Sequence, residues 1–393
     1  MLTYDWYMSK TTLPEIPAGL EPLVPNSGGL GDADELVGRA AEQERLLASI
    51  PAGGAHITGE RRMGKTWLAK KLQADLADTC TAVYVSAETS DLDTFAKRLL
   101  EALRRNRLLR HQISTWEAKL GGELKITIGG FGLTLTGSGT KPAEPAAKGL
   151  DVLELLSSPK GGPVVLIIDE ITVLCQALGP AAAAEFLSGL RSRRQSGGPP
   201  LVISGSIGLH HAIKDFRVVN DLWTVQVGPL EEPDAVILAA RLLLGIGVEP
   251  TPELVGEIVR QTSCIPFYIQ AIVDRMQYRP GISVSAIVNE SLNDGSWHTS
   301  HYVTRLDDYY DPDDAKRARL VLDYASVASQ PVGVGEFCDY LGVNEPDLAI
   351  NPDQMIDLLD KLEKDHYLVR EGGGDQMSSP LLARIWRFHR RIT

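Results

Sequence analysis

The stretch Ile57 to Leu72, Ile-Thr-Gly-Glu-Arg-Arg-Met-Gly-Lys-Thr-Trp-Leu-Ala-Lys-Lys-Leu, leaves a chain few ways to fold. Gly59, Gly64, Lys65 and Thr66 satisfy the pattern G-x-x-x-x-G-K-[ST] without substitution. A short strand, Ala55 to Thr58, must turn sharply, wrap its backbone N–H groups around an anion and run directly into a helix. Gly59 and Gly64 lack the Cβ that would obstruct the turn. The helix beginning near Lys65 aims its positive end at the anion, and Leu68, Leu72 and Leu76 recur at helical spacing behind it. A glycine-rich turn with no ligand is the plainer alternative, but strand, loop and helix in this order point to phosphate. Residues Gly59, Glu60, Arg61, Arg62, Met63, Gly64, Lys65, Thr66 and Trp67 are therefore candidate nucleotide contacts. Lys65 can reach the terminal phosphates, and the Thr66 hydroxyl can meet Mg²⁺.

The second signal is Val164-Val165-Leu166-Ile167-Ile168-Asp169-Glu170, a continuous apolar run closed by two carboxylates. Such a run suits a parallel strand covered on both faces, and open α/β sheets place ligands at the carboxyl ends of their strands. The reading puts it on the strand neighbouring the phosphate loop. Asp169 is the candidate Mg²⁺ holder, with Thr66, and Glu170 the candidate base for the attacking water. An acidic pair at a strand end also serves as a plain helix cap. The next strand, Leu201 to Ser206, ends in Ser204 and Ser206, which suit either the water and terminal phosphate or simple turn chemistry. Arg217, with Arg191 as a rival, is a candidate phosphate-sensing or finger arginine; either also suits an ordinary surface position. Trp223 to Val227 completes a series in which strands alternate with helices, the pattern of a parallel α/β sheet.

Around this core the chain divides by pattern. Residues 1–33 are rich in Pro and Gly and read as an extended arm. Residues 34–229 hold the nucleotide-binding domain, including an amphipathic helix from Asp91 to about Arg105. Within it, alternation at Leu124, Ile126, Ile128 and Phe131, Leu133, Leu135 predicts a β-hairpin from Glu123 to Gly137, followed by a Lys-Pro-Ala-Glu-Pro-Ala-Ala linker, the whole an insertion over about 119–148 outside the central sheet. Residues 230–312 carry four helical stretches, and 313–393 read as three helices, a small hairpin around Glu-Gly-Gly-Gly-Asp, and a last helix, a winged-helix arrangement.

Val37-Gly38-Arg39, the phosphate loop, Ile-Ile-Asp-Glu, Ser-Gly-Ser-Ile-Gly, Ile265-Pro266-Phe267 and Ser379-Pro380-Leu381-Leu382 occur in that order. In this series the chain resembles the archaeal-type ATPases of the STAND branch of AAA+-like P-loop proteins, which have origin-recognition ATPases among their relatives. The resemblance spans about residues 34–390. It implies a P-loop NTPase parallel sheet with a helical lid domain and a C-terminal winged-helix domain. The implied activity is that of a slow Mg-dependent ATPase switching between ATP and ADP states. It also implies that Val37, Gly38 and Arg39 line the adenine pocket and that Pro266 touches the nucleotide. One departure stands out: the family usually has Gly two residues before that proline, and here it is Cys264. Such proteins commonly carry a further effector domain, so a separate protein partner is expected; homo-oligomers are left open.

Composition bears on partners and location. The net charge of −12 opposes nucleic acid, and the third winged-domain helix, Pro352 to Lys364, carries Asp353, Asp357, Asp360 and Glu363 against Lys361 and Lys364. The final helix is basic, with Arg384, Arg387, Arg390 and Arg391, so a DNA-binding ATPase of replication-initiator, loader or defence type is the second reading. No apolar run approaches the roughly 18 residues of a membrane span, and the first residues lack a secretory pattern. Cys80, Cys175, Cys264 and Cys338 form no C-x-x-C pair, which disfavours structural zinc or a disulfide framework and fits the cytoplasm.

Overall fold

The protein is seen in a computed structural model that describes residues 13–26, 29, 35–106, 109–111, 113–114, 124–128, 131–136, 139–142, 150–151, 156, 163–205, 209–212 and 219–392. Its contacts divide it into two compact units: Asp32–Gly228, and Pro229–Thr393 together with Met1–Gly31.

The first unit is built on a five-stranded parallel sheet in the order β2-β7-β8-β1-β9. The strands are β1 (Gly54–Thr58), β2 (Thr81–Ser86), β7 (Val164–Asp169), β8 (Leu201–Gly205) and β9 (Trp223–Gln226). Every residue of β7 and β8 is buried, as interior strands with both faces covered must be, whereas edge strand β9 is exposed at three of its four residues. Helices α1 (Ala40–Ser49), α2 (Lys65–Asp75), α3 (Leu92–Arg105), α4 (Ile171–Leu178) and α5 (Pro180–Gln195) complete the α/β fold. Asp91 starts α3 by accepting the Thr94 amide at 2.7 Å, and Phe95, Leu99 and Leu103 then pack into a core with Phe186, Leu187 and Leu190 of α5.

One expectation is corrected here. Asp169 and Glu170 do not follow the strand next to the phosphate-loop strand, because β8 lies between β7 and β1. Chain order alone cannot separate an adjacent crossover from one that skips a strand. A second correction concerns the insertion. Strands β3 (Leu124–Ile128) and β4 (Phe131–Thr136) pair antiparallel in a sheet separate from the central one. That sheet also contains β5 (Gly139–Pro142) and a short parallel strand, β6 (Leu150–Asp151). Lys141 and Pro142, read as linker, belong to β5. Proline fits this sheet edge because only one side of the strand needs an N–H donor.

The second unit contains α6 (Glu232–Gly245), α7 (Pro252–Thr262), α8 (Pro266–Tyr278), α9 (Val284–Asn293), α10 (His301–Tyr309), α11 (Pro312–Val327), α12 (Val334–Asn344) and α13 (Pro352–Lys364). The antiparallel strands β10 (Leu368–Glu371) and β11 (Gly374–Met377) and helix α14 (Pro380–Arg390) follow. Four of these helices begin on one local code: Thr251, Asp311, Asn351 or Ser379 caps the first turn and a proline follows. Helix α10 carries no side-chain cap and buries only Tyr302, Arg305 and Leu306, so its pattern escaped the sequence reading. Val332 pairs with Asp375 through reciprocal backbone hydrogen bonds of 2.8 and 2.9 Å, adding a third short strand segment to the hairpin.

The arm joins this second unit. The Leu23 amide donates to the Arg241 carbonyl (2.9 Å), Arg241 Nε donates back to the Glu21 carbonyl (2.9 Å), and the Asn26 amide donates to Gln270 Oε1 (3.0 Å). Leu23 is buried, and a Cβ on Gly245 would stand 2.0 Å from its carbonyl oxygen. Among the described residues no helix is long and apolar enough to cross a membrane, and all four cysteines are unbridged.

Candidate nucleotide site

The phosphate loop joins β1 to α2. A Cβ at Gly59 would lie 2.1 Å from the Val227 carbonyl oxygen, so the residue after β1 must be glycine for β9 to pass beside it. Gly64 has open space around it but φ +91°, a backbone state that L side chains rarely adopt. Arg62, at φ 71°, takes the left-handed state without that freedom, and strain of this kind gathers at ligand sites. Lys65, buried at the first residue of α2, folds its ammonium onto the loop, donating to the carbonyls of Gly59 (3.0 Å) and Glu60 (2.8 Å). Burial pushes the Lys65 pKa down; the carboxylates of Glu170, Glu60 and Asp169 oppose the shift, and Arg61 adds to it. A buried cation resting on carbonyl dipoles gains from any anion brought to the loop. Thr66 and Trp67 are half-buried on the next positions of α2.

Arg39 is bolted into the loop's underside. Its guanidinium donates to the Met63 carbonyl (3.0 Å), the Gly228 carbonyl (2.6 Å) and the Glu42 carboxylate (2.9 Å). Its side chain thus ties the phosphate loop to the segment after β9, while Val37 and Gly38 stand half-buried beside it. His56 on β1 is buried, and its pKa falls to about 4, through burial and then the Lys65 charge.

At the end of β7, Asp169 is buried with a hydroxyl donor on each oxygen: Tyr84 donates to Oδ2 at 2.7 Å, and Ser204 donates to Oδ1. The Ser204 oxygen accepts the Glu170 amide at 3.2 Å. Glu170 sits at φ 53°, left-handed, between β7 and α4, and no side-chain cap bond forms there. Ser204 and the acidic pair are therefore brought together. Arg191 is drawn instead to Asp221 (3.3 Å), which also binds Arg194 and Gln195. Ser206 and Arg217 lie outside the described residues. Pro266 is a half-buried first residue of α8 in the second unit, following Ser263 and Cys264 at φ 51° and 58°. Cys264 thus occupies a backbone state that favours glycine, the residue the resemblance leads one to expect there.

Sequence reasoning missed Tyr84. It pairs with Ile167 in the β2–β7 register, two residues before Asp169, and period-2 alternation puts 167 and 169 on one face. That signal exists only once β2 is known to border β7. Lys70 was missed too; its ammonium lies 3.4 Å from the Tyr84 ring centroid.

A family model described as an AAA ATPase domain matches residues 35–204, the span holding the phosphate loop, the acidic pair and Ser204. Over residues 35–204 the chain is thus similar to an AAA ATPase domain, and its activity is that of an ATPase. In fold it is similar to a Walker-type ATPase of Pyrococcus abyssi (17% identity, 93% of this chain and 100% of that one, TM-score 0.67). More distant likenesses include the ORC2 protein of Aeropyrum pernix (13%, 93% and 96%, 0.47) and the RuvB Holliday junction branch migration motor of Thermotoga maritima (15%, 88% and 93%, 0.40). The fold likeness rests on the Pyrococcus protein. A comparison with curated proteins gave no match.

Among the described residues no three His, Cys, Asp or Glu gather as a metal cluster. Mg²⁺ keeps several waters and takes one or two protein oxygens plus phosphate. The Thr66 hydroxyl and the Asp169 carboxylate, with a spare lone pair on each carboxylate oxygen, are a donor set of this kind.

Proposed function

We propose that the chain is an ATP-operated switch that hydrolyses Mg-ATP slowly and acts on a separate protein partner in the cytoplasm. The loop amides and Lys65 hold the phosphates, and Thr66 and Asp169 hold Mg²⁺. When bound, the metal offsets charge on the terminal phosphate oxygens. Glu170 takes the proton of the attacking water, and Ser204, between Asp169 and the Glu170 amide, keeps the two acids in register. Val37 and Gly38 border the base.

In this reading residues 34–229 are the nucleotide domain, 230–312 the lid and 313–393 a winged helix, in the manner of the STAND-type ATPases the sequence resembles. The observation that carries the switch is that lid and winged helix are hydrogen-bonded into one compact unit. Ser263 Oγ, three residues before Pro266, accepts the Leu381 amide at 3.1 Å, and Arg384 donates to Gln261 (2.6 Å) and Asn289 (2.7 Å). A contact made by the lid in only one nucleotide state would thus move the winged helix too, by no more than its differential binding energy.

Charge favours protein over DNA as the partner. Arg384 is spent on the lid, Arg390 is bidentate to Asp323 (2.9 and 2.7 Å), and Lys361 of the acidic α13 is paired with Asp314 (2.9 Å). The test captures partners from extract on the immobilised protein with ADP or a non-hydrolysable ATP analogue, beside a salt series of anisotropy titrations with random duplex. The expected result is a protein retained in one nucleotide state, with micromolar or weaker duplex binding. Nanomolar duplex binding with a steep salt slope would transfer the function to DNA.

A further inference from the structure

The carboxylate of Asp169 is held more firmly than a metal-holding acid at a strand end requires. Both oxygens accept hydroxyl donors, from Tyr84 and Ser204, so the group cannot turn about its last torsion without losing one bond. Tyr84 is itself pinned, because the Lys70 ammonium sits on its ring face. Lys70 lies four residues after Thr66 on α2, so the two share one helix face. The helix that supplies the candidate metal hydroxyl thereby also fixes the residue that aims the candidate metal carboxylate. Nothing in the phosphate-loop pattern requires an aromatic hydroxyl on β2. A phenylalanine there would fill the same space and leave Oδ2 without its donor.

We propose that Tyr84, clamped by Lys70, is a positioning residue that orients the Asp169 carboxylate for Mg²⁺. The Mg²⁺ dependence of nucleotide binding is therefore tuned from β2. This rests on the Mg-nucleotide reading above. Partners that hydrogen-bond a metal-holding carboxylate commonly set metal affinity by about tenfold or more. Tyr84 touches neither phosphate nor base in this scheme, so its effect belongs to the metal-linked part of binding alone.

The experiment titrates ADP calorimetrically over a series of Mg²⁺ concentrations, with Mn²⁺ binding by electron paramagnetic resonance as a second readout. In Tyr84→Phe the metal-free ADP affinity is expected within about twofold of the parent, while the Mg²⁺ midpoint rises about tenfold. Lys70→Gln, which frees the ring but keeps the hydroxyl, moves the midpoint the same way by a smaller factor. An unchanged or lowered midpoint in Tyr84→Phe overturns the proposal, as does an equal loss of ADP affinity with and without metal, which marks a purely structural role. Should Tyr84→Phe not fold, the same criterion applied to Lys70→Gln decides. A parent protein whose ADP affinity ignores Mg²⁺ refutes the metal reading itself, and this inference with it.

Discussion

Two regions bury polar side chains, and they do so for opposite ends. In the second unit Arg305 is buried between the rings of Tyr302 and Tyr367, donating to the Tyr367 hydroxyl (2.5 Å) and the Asp365 carbonyl (3.1 Å). Tyr310 donates to Asp365 (2.6 Å), and Tyr367 donates to the Tyr302 carbonyl (2.5 Å). These groups bond to one another and knit α10 to the approach of β10. At the carboxyl end of the central sheet in the first unit, Lys65 rests on neutral carbonyls, its pKa is depressed, and Glu170 and Arg62 hold left-handed backbone. A network of mutual bonds stabilises a fold, whereas a buried cation left on carbonyl dipoles is arranged for an anion that arrives. Burial of charge alone does not mark a site; the direction in which it is compensated does.

The sharpest way to break this contrast is Glu170→Gln. It keeps size and hydrogen bonding but removes the basic oxygen, so single-turnover hydrolysis should fall by about 10²–10³ while ATP affinity is retained. Hydrolysis at the parental rate would class Glu170 with the structural groups. Next comes Arg305→Ala in that network. Leaving its partners uncompensated should cost about 3 kcal/mol in denaturant unfolding of the second unit, with nucleotide affinity at the first unit untouched. Lys65→Ala should do the reverse. Nucleotide binding, measured calorimetrically, weakens by roughly 1.5–3 kcal/mol while ligand-free stability barely moves.

The smallest effect is one of pH. His56 titrates near 6.5 unfolded and at about 4 in the fold, so between those values the unfolded chain binds the extra proton. Stability is thus complete above pH 6.5 and is lost as pH falls towards 4, by about 2 kcal/mol between 6.5 and 5. His389, whose pKa burial also lowers, contributes in the same direction from the second unit. Thermal unfolding of His56→Gln across that range should show a flatter profile than the parent, and an identical profile would remove His56 from the account.

Much of this was legible because it is local. Gly59 and Gly64 answer to a Cβ clash and a positive φ within a few residues of Lys65. The Thr-Pro, Asp-Pro, Asn-Pro and Ser-Pro helix starts are short-range hydrogen-bond code, and the all-apolar run before Asp169 announced an interior strand. Arg39 was read for its place in a motif. Its guanidinium reaches carbonyls distant in sequence, at Met63 and Gly228, which no motif spells out.

By itself the sequence determined the phosphate loop, the acidic pair and the alternation of central strands with helices, since backbone sterics, capping and hydrophobic period act over one or two turns. Only the tertiary structure decided that β8 separates the acids from the loop strand, that Tyr84 and Lys70 converge on Asp169, and that the extended arm is hydrogen-bonded to α6. Period tells which face a residue is on, but not which strand lies beside it. Strand order and register are settled by burial of the whole sheet against its helices, and no stretch of sequence contains that balance.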